Sequence, residues 1–102
     1  MDARFEHWLL ENGHDPHGAA SRVSNVRRVE TAYGDLDDHY RRDRCKSVLS
    51  DLGYSTADKR RNARNPSRIM IDGDAYNGLS TLRSAVRLYV KYRQARSSGR
   101  SI

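Results

Sequence analysis

The chain has 102 residues, enough for one compact domain with a modest core and too short for two. Only 36% of its residues are hydrophobic, no apolar run resembles a signal peptide or a membrane span, and the single cysteine, Cys45, excludes an internal disulfide. An intracellular, reducing location with no membrane partner is expected, and the net charge of +6, carried by sixteen arginines against three lysines, turns attention to polyanions.

Phe5, Trp8 and Leu9 fall at i, i+3 and i+4 and predict a first helix over residues 2 to 12, capped by Asp2 and ended by Gly13. Asp15 followed by Pro16 is a start signal, because proline is at home in a first helical turn. From there Ala20, Val23, Val26, Val29 and Tyr33 make one buried stripe over 16 to 33, closed by Gly34. Asp35 opens a third helix with Asp37 and Asp38 in its first turn. Its buried side begins at Leu36 and Tyr40 and continues through Cys45, Val48, Leu49 and Leu52, with room for a break near 41 to 43.

Ser55 with Asp58 three residues on resembles a capping box with Asp in the place of Glu or Gln. It introduces the basic run ADKRRNARN, either a short exposed helix or a basic loop, which Asn65-Pro66 stops. Ile69, Met70 and Ile71 read as a tucked connector, since a lone strand would have no partner. Asp72-Gly73-Asp74 then makes a turn. The final helix is expected over 79 to 95, with Leu79, Leu82, Val86, Tyr89, Val90 and Arg93 at helical spacing and Ala85 and Tyr92 on the flanks. Residues 1–95 should form the single domain and 96–102 a disordered tail.

The charge is segregated along this chain. Residues 1 to 51 hold eight basic against ten acidic side chains, whereas 52 to 102 hold eleven against three. Segregation of this kind is the electrostatic footprint of a nucleic-acid-binding surface. The candidate contacts are Arg60, Arg61 and Arg64 in the basic run, and Arg83, Arg87 and Lys91 in one row of the last helix. Arg22 and Arg28 on the second helix, with Ser21 and Ser24, would add to them. Of the six tyrosines, Tyr33, Tyr40 and Tyr89 sit on buried stripes and read as core, while Tyr54, Tyr76 and Tyr92 stay open for base stacking.

No catalytic signature is present: no nucleophile elbow, HExxH, Walker loop or dinucleotide fingerprint occurs. His14, His17, His39 and Cys45 lack the spacing of a zinc framework, and Asp72-Gly73-Asp74 with Asn77-Gly78 puts Arg83 where a calcium loop needs glutamate. No metal or other cofactor is expected, and Cys45 reads as a packed thiol.

Phe5-Glu6-His7-Trp8-Leu9, a polar turn, the stretch from Ser21 and Val29 into Tyr33, and then Leu79-Ser80-Thr81-Leu82 leading to Ala85-Val86 and Tyr89 form a pattern over residues 3 to 93. It resembles the SAM-like, core-binding N-terminal domain of phage integrases and other tyrosine recombinases, and related modules that precede restriction-type nucleases. The resemblance implies an all-α fold, a compact four- to five-helix bundle of SAM-like type. It also implies a duplex clamped by two helices and their loops, here the second helix around 18 to 28 and the last with Arg83 and Arg87. The basic stretch 55 to 68 departs from the family, and a catalytic domain would have to lie downstream.

The expected function is therefore a non-catalytic DNA-binding module that grips phosphates. RNA is an alternative target. The other reading is a phage- or plasmid-type inhibitor or adaptor that docks on an acidic protein surface or occupies a nucleic-acid channel.

Overall fold

A computed structural model describes the backbone of residues 1 to 99 and the side chains of 1 to 96. The described residues form helices and connecting turns with no strand: α1 (Phe5–Glu11), α2 (Pro16–Tyr33), α3 (Leu36–Asp43), α4 (Lys46–Asp51), α5 (Thr56–Arg60) and α6 (Ala75–Gly99). α3 and α4 share one apolar stripe broken by a turn, so the fold is a small helical bundle of five units.

The helix starts and stops follow local chemistry. Asp15 accepts the Gly18 N–H at 2.6 Å ahead of Pro16, and Asp35 accepts the Asp37 N–H at 2.9 Å. Ser55 and Asp58 complete a reciprocal capping box at α5, which establishes the short-helix form of the basic run. Asp2 lies further from α1 than expected. Arg4 occupies the cap position, and Asp2 accepts the Arg4 N–H at 2.9 Å from outside the helix.

The break between α3 and α4 falls at Arg44 and Cys45, one residue beyond the expected interval. Both residues are left-handed, with φ of 59° and 64°. Without glycine that conformation costs about 1–2 kcal/mol per residue. Two features offset it: the fully buried Cys45 side chain and the Arg44 guanidinium 4.7 Å from the Tyr40 ring centroid.

α2 and α6 make the most extensive helix contact, and α1 packs across both. Val23, Val26 and Val29 enter the core as expected, but Ala19 takes the buried place expected of Ala20, which is exposed. Phe5, Tyr89 and Tyr92 meet at centroid distances of 5.0 to 5.7 Å and close the end of the core under α1.

α6 is longer than expected at both ends. It starts at Ala75, because Asp74 accepts the Tyr76 N–H at 2.9 Å and begins the first turn. Gly78 is required inside the helix: a Cβ there would lie 2.6 Å from Cγ2 of Ile71. The expected tail is helical through Gly99, held in part by an ion pair from Arg96 to Asp2, and 100–102 lie outside the described residues.

Candidate nucleic-acid interface

Leu52 ends α4, and the turn Gly53-Tyr54-Ser55 carries the chain along α6 into α5. Tyr54 anchors this turn by burying its ring and donating its hydroxyl to the Ala63 carbonyl at 2.5 Å. Arg83 reaches across from α6 and donates Nη1 to the Leu52 carbonyl at 3.2 Å, where the α4 dipole favours a cation. Its Nε is buried and has no partner among the described residues. Arg87, one turn later, is exposed.

The two arginines face a cleft of about 400 Å³ lined also by Leu49, Gly53, Tyr54, Ser55 and Asp58. Asp58 is its one carboxylate, and it is fully engaged. It accepts from the Ser55 N–H at 2.9 Å, the Ser55 hydroxyl at 3.0 Å and the Arg61 guanidinium at 2.5 Å. The Ser55 backbone hydrogen bond, followed by Arg61, holds the Asp58 carboxyl down at about 2. The donors left to receive an anion are the guanidinium groups.

Of the eight expected contacts, the structure brings Arg83 and Arg87 to this cleft and holds Arg61 against its Asp58 wall. Arg60 and Arg64 are exposed on α5 and its exit, and Lys91 is exposed one turn beyond Arg87. None of these three has a hydrogen bond or ion pair among the described residues. The two contacts expected on α2 do not join the group. Arg28 donates to the Met70 carbonyl at 2.8 Å and ties α2 to the connector, and Arg22 is half-buried with an unpartnered Nε.

Arg42 and Arg68 escaped the sequence reading, and both line a further cleft beside α4. Arg42 sits between charged neighbours that disguise it. Arg68 sits in a connector, where no periodicity assigns a direction.

The tyrosines do not form a stacking platform. Tyr40, Tyr54, Tyr89 and Tyr92 are buried. Tyr33 and Tyr76 are half-buried with Arg68 and Lys59 over their rings at 5.4 and 5.0 Å. Cys45 is fully buried, and desolvation pushes its thiol up to about 11, far from a reactive thiolate. Among the described residues no group of three His, Cys, Asp or Glu side chains could hold a metal ion, and no helix is long and apolar enough to cross a membrane.

No family model matches the chain, and neither does any curated protein or solved structure.

Proposed function

We propose that the chain is a non-catalytic DNA-binding module that grips the phosphate backbone through the cleft between the α4–α5 turn and α6. The observation that carries this reading is the pair Arg83 and Arg87, which faces a cleft whose only carboxylate is already engaged. Arg60, Arg64 and Lys91 extend the same positive charge along α5, its exit and α6. Guanidinium forks match phosphate oxygens, and each cation that displaces a condensed counterion adds salt-dependent affinity.

The tyrosine placement favours a duplex over an unpaired strand. Sequence-tolerant single-strand binding uses exposed aromatic faces, and no tyrosine among the described residues is exposed. The pattern resemblance to integrase core-binding domains points to the same ligand, without adding a contact that the cleft does not already supply.

The test is a salt titration of binding to labelled duplex DNA by fluorescence anisotropy, with duplex RNA alongside. Affinity should fall steeply with salt, and R83A/R87A should flatten the log–log slope by about two. A chain that binds no nucleic acid at low salt overturns the reading. A stoichiometric protein partner recovered by that same chain would put an acidic protein surface in its place.

A further inference from the structure

α4, extended by its cap Leu52 and by Gly53, has four sides, each marked by an i, i+4 pair, as a helix of about 3.6 residues per turn places them. Val48 and Leu52 point into the core at 1% and 0% exposure. Leu49 and Gly53 line the Arg83/Arg87 cleft. Ser47 and Asp51 line a second cleft of about 360 Å³ on the opposite flank. Lys46 and Ser50 are exposed on the crest between the two.

The second cleft is walled by α2, α3 and the connector. Tyr33, His39, Arg42, Val48 and Arg68 complete its lining. His39 Nε2 lies 2.7 Å from the Tyr33 carbonyl, which can only accept, so this nitrogen carries the hydrogen and the ring is fixed as a wall. The Arg68 N–H donates to the Tyr33 hydroxyl at 2.9 Å, and that hydroxyl donates to Asp51 at 3.2 Å. Neither the Arg42 nor the Arg68 guanidinium makes an ion pair among the described residues. The Arg68 guanidinium stacks over the Tyr33 ring with its N–H edges unpaired, so two guanidinium groups without an acid outweigh one carboxylate that already accepts a hydrogen bond.

We infer that this cleft is a second phosphate-binding site, which receives a backbone phosphate of the same duplex on the far side of α4. The inference rests on the DNA-binding reading. The spacing suits it: a helix with side chains is about 10–12 Å across, and a duplex offers phosphates on both rims of a major groove about 12 Å wide. α4 becomes a ridge held on both flanks by phosphate contacts, with Lys46 between them.

The experiment compares the salt dependence of duplex binding for the wild-type chain, R83A/R87A, R42A/R68A and R42K/R68K, with circular dichroism melts of each. R42A/R68A should flatten the slope by about two, as R83A/R87A does, and the lysine pair should keep the wild-type slope. Should R42A/R68A lose its fold, R42A alone removes an exposed side chain and should flatten the slope by about one. D51N, which removes the competing carboxylate, should tighten binding several-fold.

An unchanged slope for folded R42A/R68A or R42A, beside a flattened one for R83A/R87A, overturns this inference and leaves the first reading standing. A wild-type chain that binds no duplex overturns both. Titration with inorganic phosphate, read by amide shifts at Ser47 and Arg68, separates the phosphate sources. Shifts there with an unchanged DNA slope identify a free phosphate ligand and overturn the backbone assignment.

Discussion

The corner where the N-terminus meets α3 and the end of α6 is crowded with charge, and so is the face around α4 and α5, but the two use it in opposite ways. At the corner the charges are matched. The Met1 ammonium lies 2.8 Å from Glu30 and 3.2 Å from Asp35, Arg93 pairs with Asp37, and Arg4 and Arg96 pair with Asp2. The Tyr89 hydroxyl stitches the set together, accepting the Asp2 N–H at 2.7 Å and donating to Asp37 at 2.5 Å. Around α4 and α5, Arg42, Arg60, Arg64, Arg68 and Arg87 have no such partners among the described residues. A net charge of +6 thus says little by itself. What distinguishes a structural arginine from one free to meet a ligand is whether the fold has already supplied its acid.

The sharpest way to break this contrast is to remove the acid at the centre of the corner. Asp37→Ala strands the Tyr89 hydroxyl and the Arg93 guanidinium, the latter only 19% exposed, and should destabilise the chain by about 2–3 kcal/mol in urea. The DNA salt slope of the folded fraction should not change. A stable variant with a changed slope would mean that the corner, too, meets the ligand.

Gly78→Ala should come next, costing about 1–2 kcal/mol. The better helix propensity of alanine is outweighed by the collision with Ile71. Combining it with Ile71→Ala should recover part of the loss, which makes the close approach of the connector measurable.

A pH series sharpens the contrast further, because both regions contain depressed carboxyls. Asp2 is held far below the usual range, first by the Arg4 guanidinium; Asp35 is lowered by the Asp37 N–H, and Asp58 to about 2. Groups with a depressed folded pKa contribute stability above their unfolded value of about 3.8, and the contribution is lost as pH falls through the folded value. Thermal melts should hold steady down to about pH 4 and then drop toward pH 2. At the other end, burial works against the Met1 ammonium, but hydrogen bonds to Glu30 and Asp35 raise its pKa above the ordinary 8.0. Its contribution is complete below pH 8 and should fade as pH rises through the raised value.

The smallest effect on stability is expected for R60A/R64A, within about 0.5 kcal/mol of wild type, since both side chains are exposed and unpaired. The same variant should weaken DNA binding uniformly across sequences, measured by anisotropy on unrelated duplexes.

The elements were legible in the sequence because their signals are local. Asp15-Pro16, Gly34, Asp35 and the Ser55/Asp58 box act within one turn of chain, and the stripe on α2 needs only its own period. Ala19 and Ala20 show where locality stops. They lie four and three residues before Val23, both satisfy a helical period, and only tertiary packing selects Ala19. The candidate site suffers more from the same limit. Arg28 looks like a free cation until Met70, 42 residues away in sequence, comes into contact with it, and Arg93, which the period puts on the buried stripe, finds its acid only in Asp37, 56 residues away. Arg42 and Arg68 become neighbours of one cleft only when α3 and the connector meet beside α4.

The left-handed turn at Arg44 and Cys45 gives the molecule its own clock. Cys45 is the sole thiol in the chain, and with no exposed surface it can be alkylated only when the joint between α3 and α4 opens. The labelling rate under excess reagent therefore counts those openings directly. A duplex that bears on both flanks of α4 would have to slow it.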